Sequence, residues 1–283
     1  MVADSIPLRC PVVKEFRGRV CVVTGAGSGI GRALALELAG RGARLAISDI
    51  NEETLGETAR LAGERGAETE TYSLDVSSRE AVFAHADAVK ERFGVVNLVI
   101  NNAGVAVSKD ILDMPLADIE WLMGINFWGV VYGTKAFLPA LIESGEGHLV
   151  NISSLFGMIA VPSQSAYNAA KFAVRGFTEA LREEVLIAGH PIKVSCVHPG
   201  GVKTNIARAA RSDQFTSEEL GERFERMAWL SPERAARIIL RGIERDTARI
   251  HVGIDSWALD LMQRALGSRY QGIVARVTQR MLD

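Results

Sequence analysis

The sequence predicts an α/β protein built on one doubly wound parallel sheet of about seven strands. Three observations predict it. Short β-branched runs alternate with segments of helical apolar spacing through nearly all of the 283 residues, a pattern that gives parallel strands joined by right-handed crossovers. Runs such as VVNLVI (95–100) show little apolar/polar alternation, as expected of strands covered on both faces. No stretch is rich enough in proline or glycine to divide the chain into separate bodies.

The elements follow in order. RVCVVT (19–24) is a β-branched run that ends in glycines and reads as a buried first strand. Residues 30–41 have helical spacing and stop at Gly42. ARLAISD (43–49) is the second strand, a charged helix follows over about 52–65, and ETETYSL (68–74) is the third strand. After Asp75 a helix runs from about Ser78 to Phe93, and VVNLVI is the fourth strand. A long helix covers about 118–142, mildly interrupted by Gly124 and Gly129. HLVNIS (148–153) is the fifth strand, a helix spans about 165–188, and IKVSCV (192–197) is the sixth strand.

The stretch 200–230 breaks this rhythm. It is polar and Arg-rich, with scattered Phe215, Phe224, Met227 and Trp229. An excursion after a strand's carboxyl end is where an α/β fold builds a lid, and that reading is preferred to an ordinary surface loop. It ends at Ser231-Pro232-Glu233, with Ser as N-cap and Pro at the first helical position. Beyond about 253, Trp257, Leu261, Met262 and Ala265, then Tyr270, Ile273, Val274, Val277 and Met281, recur at helical spacing. Arg264, Arg269, Arg276 and Arg280 lie on or beside the polar side, with no acid from 261 to 282. Packing on the chain's own domain or on a sister subunit is the preferred account. A pair of surface helices that touches a membrane or shields an apolar entrance is the other.

Composition narrows the function classes. The net charge of −2 gives no electrostatic footprint for nucleic acid. No apolar run reaches the ~18 residues of a membrane span. MVADSIPLRCPVVKEFRG at the start lacks the apolar centre of a secretory signal. Cys10, Cys21 and Cys196 have no metal-like spacing and are expected as reduced thiols in a cytoplasmic protein with no metal. Cys21 and Cys196 fall in apolar strand runs, where cysteine acts as a small hydrophobe.

The motifs lie at strand ends. TGAGSGIG (24–31) joins the first strand to the first helix, and Gly25, Gly29 and Gly31 would let backbone N–H groups meet a pyrophosphate at the helix N-terminus. A lone glycine loop is weak evidence, but the strand-then-helix context favours a nucleotide. Asp49 closes the second strand, where an acid can bond the adenosine ribose and repel a 2′-phosphate. NAD is therefore preferred to NADP, although Asp49 could merely cap the next helix. Asp75-Val76 could contact adenine, or the acid could simply open a helix. NNAG (101–104) suggests a turn that brings backbone close to a ligand. Asn126, inside an apolar helix, needs a partner: either a water with a helix carbonyl, or a structural network. Tyr167 and Lys171 are four apart and share a helix face. The lysine ammonium would lower the tyrosine pKa and make it an acid/base near neutral pH, while Ser154, at a strand end, could bond the same oxygen. The bland alternative is a solvated lysine stem packed on a ring.

In this order and spacing, TGAGSGIG, Asp75, NNAG, Asn126, Ser154, YNAAK (167–171) and PGGVKT (199–204) resemble the short-chain dehydrogenases/reductases, in their standard-length branch, over about 17–253. The resemblance implies a Rossmann-fold catalytic domain over 17–253, which includes the lid read at about 200–230; 1–16 is then an N-terminal arm, and 254–283 is a C-terminal helical extension that departs from the family pattern, since many members lack it. It implies that Tyr167 is the acid/base on the substrate oxygen and that Lys171 lowers its pKa and bonds the nicotinamide ribose. Ser154, thirteen residues before the tyrosine and chosen over Ser153, polarises that oxygen, and Asn126 holds a water in a proton relay. The cofactor would lie on Gly25, Ser28, Gly29, Ile30, Gly31, Asp49, Asp75, Val76, Asn102, Ala103, Gly104, Tyr167, Lys171, Pro199, Gly200, Val202 and Thr204. His198, where the family often has Asn, is expected to pack beside the site rather than to act in it. Val105, Leu155, Phe156, Met158, Phe215 and Trp229 suggest a hydrophobic secondary alcohol or ketone. A homodimer or homotetramer through the helices at about 118–142 and 165–188 is a family expectation. An NADPH-preferring ketoreductase and a non-catalytic NAD-binding sensor are the alternatives. Competent side chains at every catalytic position argue against the sensor.

Overall fold

The computed structural model describes residues 15–213 and 215–282, with side chains described through Gln279. The first 14 residues with Cys10, and the side chains of Arg280 and Met281, lie outside the described residues.

β1 (Val20–Thr24) is buried at every position, which is why its sequence does not alternate. It leads through the glycine loop into α1 (Gly29–Gly40) and then β2 (Arg44–Asp49). α2 (Glu52–Gly63) and α3 (Arg79–Phe93) flank β3 (Thr69–Ser73), a half-exposed edge strand. β4 (Leu98–Asn101) is shorter than its apolar run, because Asn97 Oδ1 leaves the ladder pattern to accept from Val20 N at 3.0 Å. The two-residue β5 (Val107–Ser108) follows. α4 (Leu116–Met123) and α5 (Gly129–Glu143) form one long rod joined by a π-helical turn, Gly124–Trp128, centred on Asn126. The two mild glycine interruptions in the sequence mark the ends of that turn. β6 (Gly147–Ile152), α6 (Ser165–Ala188) and β7 (Ile192–Pro199) match their expected positions. The remainder comprises β8 (Arg211–Ser212), α7 (Ser217–Met227), α8 (Pro232–Glu244), β9 (Arg249–Val252), α9 (Ile254–Leu266) and α10 (Tyr270–Leu282).

Seven strands pair in parallel in the order β3-β2-β1-β4-β6-β7-β9. The order reverses between β1 and β4, and ligands of open α/β sheets bind in the crevice beyond the carboxyl ends of the strands at such a point. One face of the sheet is covered by α1 and α8 through Leu34, Leu38, Ile239 and Leu240. The other is covered by α3, α5 and α6 through Val89, Phe137, Leu141 and Leu181. Cys21 and Cys196 are buried free thiols.

The 200–230 excursion is tied over the strand ends. β8 pairs with β5, Val202 bridges to Leu230, and Thr216 closes α7 with a reciprocal capping box. Lys109 reaches Asp118 and Asp213, Arg211 reaches Asp118, and the Arg211 guanidinium lies 3.6 Å from the Trp121 ring centroid. Ser231 caps α8 as expected, accepting from Arg234 N. The extension packs its inner side on the body: Leu259, Met262, Tyr270 and Val274 meet Leu155, Phe156, Met158 and Ile159. Its outer side leaves Trp257 and Leu261 about two-thirds exposed, at 63% and 67%. No helix among the described residues is long and apolar enough to cross a membrane.

Candidate active site

The crevice between β1 and β4 holds the glycine loop. Gly25 has φ +65, and a Cβ there would lie 2.7 Å from Ala103 Cα. A Cβ on Gly31 would lie 2.1 Å from the Gly25 carbonyl, so α1 can approach the loop only without a side chain. Thr24 Oγ accepts from Asn102 N and Ala103 N at 3.0 and 3.1 Å. Asn102 Nδ2 donates to the carbonyls of Thr24 and Gly25. The Asn102 side chain is therefore the clasp between the loop and the NNAG turn, and the Ala103-Gly104 backbone forms the floor. Ser28 begins α1 without a side-chain cap, so the first-turn amides of α1, with Ile30 among them, keep the donor character that suits an anion. Thr204 meets the loop from the far side, its Cγ2 3.2 Å from a Cβ built on Gly29. This cradle fits a dinucleotide: glycines where side chains would intrude, and helix amides where a pyrophosphate needs donors.

Asp49 turns toward the loop. Its Oδ2 accepts from Gly27 N at 2.8 Å, and its Oδ1 accepts from Asn51 N at 3.0 Å. Asn51, not Asp49, caps α2, which removes the bland reading of Asp49. Arg32, one residue past the glycine motif, was not marked by the sequence reading. Its guanidinium donates to Thr58 Oγ and to the carbonyls of Gly27 and Thr54. Asp75 accepts from Ser77 N and Ser77 Oγ just before Ser78 caps α3. Val76 is buried against Gly129 of α5. The Asn126 side chain is held by the backbone of Val105. Its Oδ1 accepts from Val105 N and its Nδ2 donates to Val105 O, both at 2.8 Å.

Ser154 follows β6 and caps a short 3-10 turn, its Oγ accepting from Phe156 N at 3.1 Å. Tyr167 stands in the first turn of α6 with its phenol hydrogen-bonded to Ser154. Lys171 lies one turn on, almost fully buried, with Nζ 5.7 Å from the Tyr167 ring centroid. Its ammonium donates to the Ile152 carbonyl at 3.0 Å, and Ser153 Oγ donates to the Lys171 carbonyl at 2.8 Å, fastening α6 to β6. Asn126 Oδ1 and Lys171 Nζ meet over Gly104, at 3.2 and 3.6 Å from a Cβ built there.

Burial pushes the Tyr167 phenol above its ordinary 10.0, and the bond from Ser154 offsets this only in part. The Lys171 ammonium points at a carbonyl, and loss of water around the phenol dominates the net shift. Burial also pulls Lys171 down, to about 8. His198 is buried, its Nδ1 lies 3.0 Å from the Ser154 carbonyl, and burial pulls its pKa to about 4. It packs behind the serine as a neutral ring. Pro199 ends β7, Gly200 N donates to Val252 O, and Val202 is buried beside Leu230.

The apolar residues divide. Phe156 meets Tyr167 edge-on with ring centroids 6.1 Å apart, and Val105 packs in the same cluster as Tyr167. Leu155 and Met158 are buried in the wall under Tyr270. Phe215 is covered by the Arg223 guanidinium, 4.1 Å from its ring centroid, and Trp229 is half-exposed beside Gly253. Asp255, Ser256 and Tyr270, all in the extension, also reach the surroundings of the site and belong to no motif. Among the described residues no group of His, Cys, Asp or Glu could hold a metal ion.

The short chain dehydrogenase family matches residues 19–214. SadH of Mycobacterium tuberculosis, named as an oxidoreductase, is 55% identical over 267 residues, covering 93% of this chain and 96% of its own. Estradiol 17-beta-dehydrogenase 11 of Macaca fascicularis is 33% identical over 266 residues, covering 93% of this chain and 84% of its own. A short chain dehydrogenase/reductase from Burkholderia phymatum, solved in complex with NAD, superposes with a TM-score of 0.83 at 32% identity, covering 89% of this chain and 95% of that one.

Proposed function

The chain belongs to the short-chain dehydrogenase family and is an NAD(P)-dependent oxidoreductase; from that premise we propose that it interconverts a hydrophobic secondary alcohol and its ketone, with NAD as the preferred cofactor. The observation that carries the reading is the partly buried Tyr167, its phenol bonded to Ser154, with the Lys171 ammonium one turn away on the same helix.

The bound cofactor supplies or accepts the hydride. The chain's residues handle the proton and the oxygen. The Tyr167 phenolate takes the proton of the alcohol at Oη, and in the reverse direction the phenol returns it to the ketone oxygen. Ser154 Oγ bonds the same oxygen and fixes its distance from Tyr167. Burial alone disfavours the phenolate, so the charge of Lys171 is what brings that form within reach. Asn126 keeps the Gly104-Val105 backbone against Lys171, through its two bonds to Val105. Gly25, Ser28, Gly29, Ile30 and Gly31 would hold the pyrophosphate, and Asp75-Val76 with Ala103-Gly104 would border the adenine half. Lys171, Pro199, Gly200, Val202 and Thr204 would border the nicotinamide half.

Two observations support the finer claims. Asp49 faces the glycine loop, where a carboxylate favours ribose hydroxyls and repels a 2′-phosphate. The neighbours of the phenol are Phe156 and Val105, and the relative named estradiol 17-beta-dehydrogenase 11 carries an apolar secondary alcohol in its name. The test gives purified protein NAD or NADP with steroid and long-chain secondary alcohols beside polyols, and follows the absorbance of the reduced nicotinamide. Turnover of the apolar alcohols with NAD is expected. Turnover of polyols alone would refute the substrate class, tighter NADPH binding would refute the use of Asp49, and NAD binding without any turnover would favour the sensor.

A further inference from the structure

α9 begins directly after β9, outside the span that matches the family, and its first turn grips the turn at the end of β7. Ser256 is fully buried, and its hydroxyl donates to the His198 carbonyl at 2.8 Å. Asp255 Oδ2 accepts from Gly201 N at 2.6 Å. A Cβ on Gly200 would lie 2.2 Å from Asp255 Oδ2, so the carboxylate occupies the space a side chain there would need. Its other oxygen, Oδ1, is buried with no hydrogen-bond partner among the described residues. The gripped peptide also anchors the lid: the Gly201 carbonyl accepts from Trp229 N and Leu230 N, both at 3.2 Å.

We infer that Asp255, seconded by Ser256, is a positioning residue for the nicotinamide end of the cofactor. It acts through Gly201, whose fixed amide sets the path of Val202 to Thr204. The inference rests on the proposed function's placement of the nicotinamide against Pro199, Gly200, Val202 and Thr204. The extension is then part of the active site's frame, because the residues after β9 hold the turn that the cofactor meets.

The test compares NADH with ADP-ribose, which keeps the pyrophosphate and lacks the nicotinamide, by calorimetric titration of the full chain. Asp255→Ala is expected to weaken NADH about tenfold, the order set by one charge-assisted hydrogen bond, and to leave ADP-ribose within about twofold. Asp255→Asn, which keeps an acceptor for Gly201 N, is expected to return NADH to within about threefold of the unmodified protein. The emission of bound NADH should shift toward that of free NADH in Asp255→Ala alone. Equal weakening of both ligands would reduce Asp255 to a structural support and overturn the inference, as would unchanged NADH binding. If Asp255→Ala does not fold, Ser256→Ala carries the same comparison with the same outcomes. Unmodified protein that binds neither ligand would refute the cofactor reading and this inference with it. Protein that binds both but oxidises no alcohol would refute the substrate reading and leave this inference standing.

Discussion

Replacing Lys171 by methionine should abolish turnover and make the protein more stable. Lys171 is 3% exposed, and its one acceptor is the Ile152 carbonyl. Burial lowers its pKa from 10.5 to about 8. At about 1.4 kcal/mol per pH unit, keeping that ammonium charged costs the folded state about 3 kcal/mol near neutral pH. Methionine fills a similar volume without the charge. Its loss of the bond to Ile152 returns about 1 kcal/mol of that, so a net gain of about 2 kcal/mol is expected. The sign follows from linkage. Below about pH 8 the lysine is charged in both states and the full cost stands. Between about 8 and 10.5 the unfolded chain holds the proton that the folded chain has released, so the unmodified protein gains stability as pH rises. The advantage of Lys171→Met should therefore be largest near neutral pH, vanish near about pH 9.5 and reverse above it. Denaturant unfolding of both proteins across that range, without cofactor, measures it. A variant no more stable than the unmodified protein near neutral pH, or an advantage independent of pH, would refute the reasoning.

Tyr167→Phe should reduce kcat by about a hundredfold or more while NADH affinity stays within about twofold, measured by turnover and titration; retained turnover would show that the proton comes from elsewhere. Asp49→Ala should shift the ratio of NADPH to NADH affinity toward NADPH by about tenfold, and an unchanged ratio would remove Asp49 from cofactor selection. His85 is buried between Tyr72 and Phe137, its ring nitrogens have no partner among the described residues, and burial lowers its pKa to about 4. Below about pH 6.5 the unfolded chain takes up a proton that the folded chain refuses until about 4, so stability falls with pH across that window. His85→Phe should remove about 2 kcal/mol of the stability lost between about pH 7 and pH 5, and equal slopes of Tm against pH would count against it. Gly31→Ala places a Cβ 2.1 Å from the Gly25 carbonyl and should cost about 1–3 kcal/mol along with most cofactor affinity; normal NADH binding would show that α1 can retreat.

The parts of the fold that depend on local pattern were legible in the sequence. β1 reads as apolar without alternation because both its faces are covered, and α6 ends at Gly189 with φ +66, a stop that the sequence announces. β9 gave a weaker signal: four residues that alternate charged with apolar and are only half-buried. The motifs located the site because their order along the chain matches the order of strand ends around one crevice. What each polar group does there was less legible. Asn126 is satisfied by Val105, 21 residues away, and Asp49 by Gly27, 22 residues away. Ser256 and Asp255 meet residues 58 and 54 positions earlier in the chain. Such pairings follow from how strand ends converge, which no spacing along the sequence reports.

Lys109 and Lys171 are both nearly buried and have opposite electrostatics, and the contrast bears on how the site works. Lys109 lies between Asp213 and Asp118, whose hydrogen bonds push its pKa up, and it ties the 200–230 excursion to α4. Lys171 has no carboxylate, and its pKa falls to about 8. A carboxylate beside Lys171 would relieve the cost of burying it. The same carboxylate would cancel the positive field at the Tyr167 ring, and with it the support for a phenolate that burial already disfavours. The neighbouring His198 stays neutral because burial lowers it to about 4, so it brings no second cation behind Ser154. The single unpaired ammonium therefore acts on the phenol alone, and the instability it brings is the physical counterpart of the proton chemistry proposed for Tyr167.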